Sequence, residues 1–198
     1  MKKIISLLTI LFLLISAPSF AQDKVEKSKE PIKPALLVID IQNAFLPMMS
    51  SDKDLAMEYI NALIDLFRKN GYPVIRVYHK SEEYGVVPGS EGFEYPETVK
   101  ILETDPKVIK TYPDGFNKTD LDQVIRETGS NTLFLCGLSS VGCVLATWIG
   151  AQNFDYKAFM VKNAIFSHNT EYTRNVENMF DAVSFEMVQL IVENAGGR

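Results

Sequence analysis

Short apolar runs alternate with amphipathic segments along most of this chain. The runs predict buried β-strands at residues 35–39, 73–78, 107–109, 132–136 and 156–161. Between them, apolar residues recur at helical spacing and predict helices at residues 54–70, 119–128, 143–153 and 172–181. A final apolar run, 187–192, predicts a last strand. Strands that alternate with helices indicate an α/β fold with a mostly parallel sheet.

The segment 79–102 interrupts this alternation. It contains several Gly and Pro residues, and only its end, 96–102, has a weak helical pattern. Long connections of this kind often carry function, so we expect the segment to line a site and to influence specificity.

Three chemically reactive residues stand at or just after the ends of predicted strands. They are Asp40, Lys110 and Cys143. In parallel α/β sheets, ligands bind at the carboxyl ends of the strands. We therefore expect these three side chains to converge on one edge of the sheet, although they are far apart in sequence.

Cys143 is the strongest candidate for a nucleophile. Gly137 and Gly142 bracket the turn that joins the strand ending at residue 136 to the helix that begins near Cys143. A thiol at a helix N-terminus experiences the positive end of the helix dipole, which favours the thiolate. The free N–H groups at the helix start, with another from the turn near Ser139, can hold an oxyanion.

Asp40 and Lys110 complete a plausible nucleophilic site. We expect Lys110 to favour the thiolate by its charge, and Asp40 to take the thiol proton and pass it to a leaving amine. Attack on an amide-like carbonyl would release ammonia or an amine and leave a thioester for water to cleave. Each residue also has an ordinary structural interpretation: Asp40 as a turn residue, Lys110 as a surface charge, Cys143 as a small buried hydrophobe.

A disulfide between Cys136 and Cys143, the two cysteines of the chain, is an alternative to a free nucleophile. Cys136 falls inside an apolar strand run, and a bridge would have to span a strand-to-helix reversal. We therefore expect two free thiols.

The N-terminus has the pattern of a secretory signal peptide. Lys2 and Lys3 precede an apolar segment at residues 4–15, and Ser19-Phe20-Ala21 matches a signal-peptidase site. We expect cleavage after residue 21 and export to the periplasm or beyond the cell. An uncleaved membrane anchor is the alternative, and no later apolar run is long enough to span a bilayer.

After a signal peptide at 1–21, the charged and Pro-containing stretch 22–34 predicts a flexible lead-in, and 35–198 a single domain. The formal net charge is −5, and the chain has no basic cluster. These features argue against nucleic acid as a partner. We expect a small-molecule substrate and no membrane association once the signal peptide is removed.

Three motifs resemble those of the isochorismatase-like cysteine hydrolases, and they occur in the family's order. They are Leu37-Val-Ile-Asp40-Ile-Gln42-Asn-Ala-Phe45, Lys110-Thr-Tyr-Pro-Asp-Gly-Phe116-Asn-Lys-Thr119-Asp-Leu121 and Gly137-Leu-Ser-Ser-Val-Gly-Cys143-Val144-Leu-Ala-Thr147. The resemblance runs from about residue 35 to the C-terminus. It implies a doubly wound, three-layer α/β/α fold with a mostly parallel sheet, and a homo-oligomer.

The resemblance also implies roles for individual residues. The implied catalytic triad is Asp40, Lys110 and Cys143. The implied oxyanion donors are the backbone N–H groups of Ser139 and Cys143, with a cis peptide bond between Leu138 and Ser139. The residues implied to lie near the triad or the substrate pocket are Gln42, Phe45 and Phe116. Tyr112, between Lys110 and Phe116, is a further candidate for the pocket lining.

The sequence departs from the family pattern in two places. Nicotinamidases of the family hold a metal with Asp and His residues after the second strand, whereas this region offers His79, Glu82 and Glu83 without a second His. We therefore expect no metal and no other cofactor, which argues against nicotinamide hydrolysis. Asn163 stands where the family usually has Asp, so the support of the neighbouring loop is expected to differ.

Three residues outside the motifs have polar or aromatic side chains that invite a functional interpretation. His168 and Asn169 follow the strand 156–161 and can reach the pocket, although for His168 we favour a simple loop role. Trp148 lies one turn into the predicted nucleophile helix, and we expect it to pack rather than to contact substrate.

The presence of Cys143 favours cleavage of C–N bonds, because isochorismatases proper commonly lack the nucleophilic cysteine. The sequence therefore predicts an exported, metal-independent, cysteine-dependent amidohydrolase that acts on a small amide, carbamoyl or ureido compound. Two alternatives remain: an isochorismatase-type vinyl-ether hydrolase, and a non-catalytic small-molecule-binding protein on the same fold.

Overall fold

The computed structural model describes residues 30–50 and 52–196. Its centre is a sheet of five parallel strands in the order β3-β2-β1-β4-β5. The strands are β1 (Pro34–Ile39), β2 (Val74–His79), β3 (Lys107–Lys110), β4 (Thr132–Leu138) and β5 (Lys157–Phe166). The first five predicted strands along the chain are all confirmed, and β5 continues beyond its expected end.

The helices in this part of the chain lie between and after the strands. They are α1 (Lys53–Lys69), α2 (Leu121–Glu127), α3 (Cys143–Asn153), α4 (Thr170–Met179) and α5 (Phe185–Asn194). Just after α1, Gly71 takes a φ of +75°, which fits its predicted role as the stop of this helix. None of these helices has the length and apolar composition needed to cross a bilayer.

Two hydrophobic clusters cover the two faces of the sheet. Successive side chains of β1 alternate between them, with Leu36 and Val38 in one cluster and Leu37 and Ile39 in the other. Side chains of α1 and α5 pack on the first face, and side chains of α2, α3 and α4 on the second. Helices on both faces of a parallel sheet form the predicted doubly wound, three-layer α/β/α fold.

The prediction of a last strand at 187–192 is wrong, because this run lies inside helix α5. Ser184 caps the helix, and its hydroxyl accepts a hydrogen bond from the N–H of Met187. Val188 and Val192 are buried one helical turn apart, whereas Leu190 between them is 59% exposed. The burial follows the helical period, which a continuous apolar run conceals in the sequence.

The expected signal peptide, 1–21, lies outside the described residues, as does most of the lead-in. The described end of the lead-in is hydrogen-bonded to Asn131, the residue before β4. The N–H of Lys33 donates to Asn131 Oδ1 at 2.9 Å, and Asn131 Nδ2 donates to the carbonyl of Pro31 at 3.0 Å. Pro34 then opens β1, so ordered structure begins before the expected boundary at residue 35.

The segment 79–102 contains no helix, and its end forms turns instead of the weakly predicted helix. Aromatic side chains attach it to the sheet. Phe93 and Tyr95 stack on Tyr78, with ring centroids 5.0 and 4.4 Å apart. The Tyr95 hydroxyl also lies 2.8 and 2.7 Å from carbonyl oxygens of β1 and β2. The segment is therefore fixed beside the ends of these two strands.

Candidate active site

The site forms where the strand order of the sheet reverses. β1 pairs with β2 on one side and with β4 on the other. Such a switch point leaves a crevice at the carboxyl ends of the strands. Gly137 in β4 has a φ of +115°, and a Cβ added there would lie 2.1 Å from the carbonyl oxygen of Ile39. Glycine therefore lets the two strands approach closely just before the residues of the site.

Asp40 follows β1 directly and is 1% exposed. Its φ of +55° lies in the left-handed region, which Asp tolerates better than most residues. Its N–H donates to the carbonyl of Val77 at 2.8 Å, so the backbone is fixed to β2. The strand end thus sets the direction of the carboxylate.

Lys110 is the last residue of β3 and forms a buried ion pair with Asp40. Its Nζ donates to Asp40 Oδ2 at 2.7 Å, and the side chains of Lys110 and Asp40 are 0% and 2% exposed. The other carboxylate oxygen, Asp40 Oδ1, is buried and has no hydrogen-bond partner among the described residues. Buried polar atoms without a partner are uncommon, so Oδ1 is a candidate for accepting a proton during the reaction.

Cys143 is the first residue of α3, and Gly142 occupies the cap position before it. The cysteine Sγ, one carboxylate oxygen of Asp40 and one ring nitrogen of His79 all lie within 4.8 Å of one another. The structure therefore brings together Asp40, Lys110 and Cys143, as the strand-end argument predicted.

The environment of Cys143 does not favour the thiolate, contrary to the expectation from the sequence. Burial raises the pKa of the thiol to about 12, and the carboxylate of Asp40 acts in the same direction. The Lys110 ammonium lowers this pKa but does not compensate for burial. Cys143 is therefore a neutral thiol at neutral pH, and attack by its sulfur requires a base.

The turn before Cys143 contains the two backbone N–H groups that the resemblance implies as oxyanion donors. The peptide bond between Leu138 and Ser139 is cis, as the resemblance implied. The N–H groups of Gly142 and Val144 both donate to the carbonyl of Ser139, at 2.9 and 3.1 Å. Within the described part of the chain, the N–H groups of Ser139 and Cys143 donate no hydrogen bond. Both groups are therefore available to a ligand oxygen.

Buried hydroxyl groups hold this turn against β5 and α4. The N–H of Ser140 donates to the carbonyl of Phe166 at 2.8 Å, and Ser140 Oγ lies 3.0 Å from Thr173 Oγ1. Thr173 Oγ1 lies 3.0 Å from Ser167 Oγ in turn. Sequence reasoning missed this network, because isolated Ser and Thr residues carry no signal of where they meet.

The loop after Lys110 docks on the helix that begins with Cys143. The N–H of Gly115 donates to Thr147 Oγ1 at 2.9 Å. Gly150 leaves room for the Asp114 carboxylate, since a Cβ added at Gly150 would lie 2.3 Å from Asp114 Oδ1. Because the loop begins at the lysine, these contacts fix the lysine strand relative to the nucleophile helix.

His79 belongs to the site, although the sequence analysis considered it only as a poor metal ligand. It is the last residue of β2, and its Nδ1 lies 3.1 Å from Lys110 Nζ. Burial lowers the pKa of its imidazole, Lys110 lowers it further, and Asp40 opposes both effects in part. The same strand-end rule that selected Asp40 and Lys110 would have found His79.

Gln42 and Phe45 both lie beside His79. Gln42 is fully buried, and its amide bonds both the N–H and the carbonyl of His79, at 2.7 and 3.0 Å. Its second amide hydrogen goes to the carbonyl of Phe93 at 2.9 Å. Gln42 therefore supports the site, as expected of a residue close to the triad, and both of its amide hydrogens are used by these bonds. Phe45 is half-buried, with its ring edge-on to His79 at a centroid distance of 6.1 Å.

Phe116 and Tyr112 differ in burial. Phe116 is 6% exposed and stacks on Phe154 and Tyr156, with centroids 5.0 and 5.9 Å apart. It belongs to the core cluster on the face of α2, α3 and α4, against which Cys143 also packs, and its place near the pocket stays a prediction. Tyr112 lies at the surface, where its hydroxyl accepts a hydrogen bond from Lys118 Nζ at 3.2 Å. Its role in substrate binding stays a prediction.

Both cysteines are free, so the alternative of a disulfide does not hold in this structure. Cys136 is fully buried in β4, and its Sγ donates to the carbonyl of Leu37 at 3.4 Å. Burial raises the pKa of the Cys136 thiol well above its usual range. Cys143 is therefore the more accessible and more reactive of the two thiols.

Other polar residues near the site have structural partners. Asn169 caps α4, and its side chain accepts hydrogen bonds from the N–H groups of the first turn. His168 is exposed and packs edge-on to Tyr172. Trp148 packs as expected and donates its indole N–H to a carbonyl of β5 at 3.0 Å. Asn163 takes a φ of +61°, and its N–H donates to Glu177 at 2.8 Å.

A metal cation in this site would compete with the Lys110 ammonium group. Asp40, His79 and Cys143 each offer one potential ligand atom within 4.8 Å of the others. However, the Lys110 ammonium already lies at hydrogen-bond distance from both Asp40 and His79. A cation would have to displace this positive charge, so the donor set fits lysine better than a metal. Glu82 pairs with Lys80 instead of joining His79.

Comparisons with known proteins agree with this fold. The family model described as Isochorismatase domain matches residues 34–188. The isochorismatase family protein YddQ of Bacillus subtilis is 35% identical over 136 residues, which are 66% of this chain and 76% of YddQ. This chain therefore belongs to the isochorismatase family, and it is an isochorismatase-family hydrolase.

Two relatives with named activities are also similar. Streptothricin hydrolase of Streptomyces noursei is 32% identical over 116 residues, which are 57% of this chain and 46% of that enzyme. The structure of N-carbamoylsarcosine amidase from Thermoplasma acidophilum superposes with a TM-score of 0.67 at 25% identity. The superposition covers 77% of this chain and 95% of the amidase.

Proposed function

We propose that this protein is a cysteine-dependent amidohydrolase that cleaves a C–N bond in a small amide, carbamoyl or ureido compound. The observation that carries the proposal is the carboxylate of Asp40. It lies beside the protonated thiol of Cys143, its Oδ1 is buried without a hydrogen-bond partner among the described residues, and its Oδ2 is held by Lys110. This arrangement provides a general base for a nucleophile that needs one.

The first half of the reaction forms a thioester. Asp40 Oδ1 takes the thiol proton as Cys143 Sγ attacks the carbonyl carbon, and the carbonyl oxygen gains the negative charge. The free N–H groups of Ser139 and Cys143 stabilise this oxyanion. When the tetrahedral intermediate collapses, the C–N bond breaks and the proton on Asp40 passes to the leaving nitrogen as ammonia or an amine departs.

The second half regenerates the thiol. Water attacks the thioester carbonyl and gives one proton to Asp40, the C–S bond breaks, and that proton returns to sulfur. The products are a carboxylic or carbamic acid and the free enzyme. Lys110 keeps the carboxylate oriented by its bond to Oδ2.

Two lines of support favour C–N bonds over other substrates. Cys143 has a base within reach, which vinyl-ether cleavage does not require. Streptothricin hydrolase and N-carbamoylsarcosine amidase, both similar to this chain, are named as a hydrolase and an amidase. We therefore place the substrate among small amides and N-carbamoyl compounds.

Ammonia release from a panel of primary amides, carbamates and ureido acids tests the proposal. Wild type, Cys143→Ala and Cys136→Ala are compared, each with and without a chelator. The proposal predicts chelator-resistant turnover that Cys143→Ala abolishes and Cys136→Ala retains. Hydrolysis of an isochorismate-like vinyl ether by Cys143→Ala would support the first alternative, and ligand binding without turnover the second.

We further propose that the protein is exported. The support is the order of Lys2 and Lys3, the apolar segment 4–15 and the Ser19-Phe20-Ala21 site. N-terminal sequencing of the protein from the cell envelope or medium tests this. A chain beginning at Gln22 is the expected result, and a cytoplasmic chain that retains residues 1–21 would contradict it.

A further inference from the structure

We propose that His79 is a positioning residue of this site: its neutral imidazole holds the Lys110 ammonium in place, and protonation of the imidazole in acid releases it. The inference rests on the proposed function for its catalytic consequence. The contact itself is a property of the fold.

The ion pair between Lys110 and Asp40 assigns the donor and acceptor roles in the contact with His79. Lys110 Nζ lies 2.7 Å from Asp40 Oδ2 and 3.1 Å from His79 Nδ1. An ammonium group has three donors and no lone pair, so His79 Nδ1 must be the acceptor. The imidazole is therefore neutral, with its proton on Nε2.

The position of the ring is built into the fold. Gln42, fully buried, bonds the backbone N–H and carbonyl of His79 and also the carbonyl of Phe93. Phe45 packs edge-on against the imidazole. These contacts hold His79 Nδ1 at hydrogen-bond distance from Lys110. Gln42 and Phe45 thus support the groups around the catalytic residues.

The charged and titratable groups around His79 come from several elements. Lys110 faces it from β3, Asp40 from β1 and Cys143 from α3. The neighbouring Lys80 is paired with Glu82. Burial and Lys110 lower the pKa of His79, and Asp40 raises it in part, so the neutral form dominates above the ordinary value of 6.5.

Protonation changes this contact from attraction to repulsion. An imidazolium has no acceptor for the lysine, and two positive charges 3.1 Å apart repel each other strongly in a buried site. Lys110 then moves, Asp40 loses the bond that orients it, and the base is misaligned with the thiol. Activity is therefore lost in acid through His79.

An NMR titration of the imidazole tests the contact without any substrate. The chain has two histidines, and the exposed His168 can be replaced by Asn, which leaves His79 alone to observe. We expect a neutral Nε2–H tautomer, a pKa below 6.5 and an upward shift of that pKa in Lys110→Met. An Nδ1–H tautomer, or a pKa that Lys110→Met leaves unchanged, would overturn the inference.

The kinetic test compares His79→Asn with His79→Leu on the best compound of the panel. Asn offers an acceptor near the position of Nδ1 but does not titrate, so kcat on the plateau stays within about threefold of wild type and the acid limb moves to lower pH. Leu removes the acceptor and lowers kcat roughly 10- to 100-fold with little change in KM. An acid limb unmoved in His79→Asn, or full kcat in His79→Leu, refutes the role of His79.

The two experiments separate this inference from the proposed function. If no compound is hydrolysed, the amidohydrolase proposal fails, and the NMR titration still decides whether His79 holds Lys110. If turnover is found and depends on Cys143, the pH profiles of the two His79 variants decide whether the contact between His79 and Lys110 affects catalysis.

Discussion

Lys110 Nζ binds one oxygen of Asp40 at 2.7 Å and leaves the other, Oδ1, buried and without a partner among the described residues. The two oxygens of one carboxylate therefore have different tasks. Oδ2 anchors the side chain, and Oδ1 is free to take a proton. Cys143 is a neutral thiol at rest and is therefore a weak nucleophile. Asp40 Oδ1 provides the base that removes the thiol proton.

Replacing Asp40 by Asn separates the reactivity of the thiol from catalysis. The carboxylate raises the pKa of Cys143, so its removal leaves Lys110 unopposed and lowers that pKa. We expect Asp40→Asn to alkylate about tenfold faster with iodoacetamide at neutral pH, since the thiolate fraction rises tenfold per pKa unit.

Turnover by Asp40→Asn is expected to fall, although its thiol is alkylated faster. Loss of a general base lowers kcat roughly 10²- to 10⁴-fold. Asp40→Glu serves as a control that keeps the charge. Slower alkylation together with normal turnover in Asp40→Asn would contradict the role assigned to Asp40.

The pH dependence of alkylation reports the burial of Cys143 in the wild type. An ordinary thiol, with a pKa of 9.0, reaches its maximal rate soon above pH 9, whereas Cys143 has a pKa of about 12. We therefore expect its alkylation rate to rise with pH without a plateau up to about pH 10, measured by peptide mass spectrometry. A plateau near neutral pH would show a stabilised thiolate and remove the need for a base.

Much of the site follows from one regularity of parallel sheets. Asp40 follows β1, Lys110 ends β3 and Cys143 begins the helix after β4, so strand prediction alone was enough to group them. The same regularity applies to His79 at the end of β2, which the sequence indicated only as a poor metal ligand. Its hydrogen bond to Lys110 depends on side-chain directions that a linear pattern does not contain.

One error has a different physical origin. The run 187–192 consists of residues that suit a strand, and only the burial of Val188 and Val192 against the exposure of Leu190 reveals a helix. Neither burial nor side-chain direction can be deduced from spacing when both faces of the fold are apolar.

Gly137→Ala tests the close approach of β1 and β4. A Cβ at this position would lie 2.1 Å from the carbonyl oxygen of Ile39, so the strands must separate. Gly85→Ala is a matched control, because its φ is also positive but nothing lies within 4 Å. We expect the free energy of unfolding to fall by about 1–2 kcal/mol in the control and by at least about 4 kcal/mol in Gly137→Ala.

Urea denaturation of the two glycine variants measures this difference. Equal losses of stability would show that the strands relax without cost, and that the glycine serves only the backbone conformation at Gly137.

Thr147→Val tests the docking of the lysine loop on the nucleophile helix. The variant keeps the shape of the side chain but leaves the N–H of Gly115 without its acceptor, which costs about 1–3 kcal/mol of stability. Displacement of the loop that begins at Lys110 lowers kcat by up to about 100-fold. Thr147→Ser retains the hydroxyl and serves as the control; equal kcat values for Val and Ser would show that the docking has no effect on the site.

The most direct test of the account is to trap the thioester on Cys143. Turnover of the best amide or carbamoyl compound is quenched in acid, and the protein is analysed by intact-mass and peptide mass spectrometry. The account predicts an added acyl group on the peptide that contains Cys143, present also in Cys136→Ala. Cys143→Ala lacks the adduct and loses at least about 10³-fold in kcat. Full turnover by Cys143→Ala, with no adduct in the wild type, would contradict nucleophilic catalysis by this cysteine.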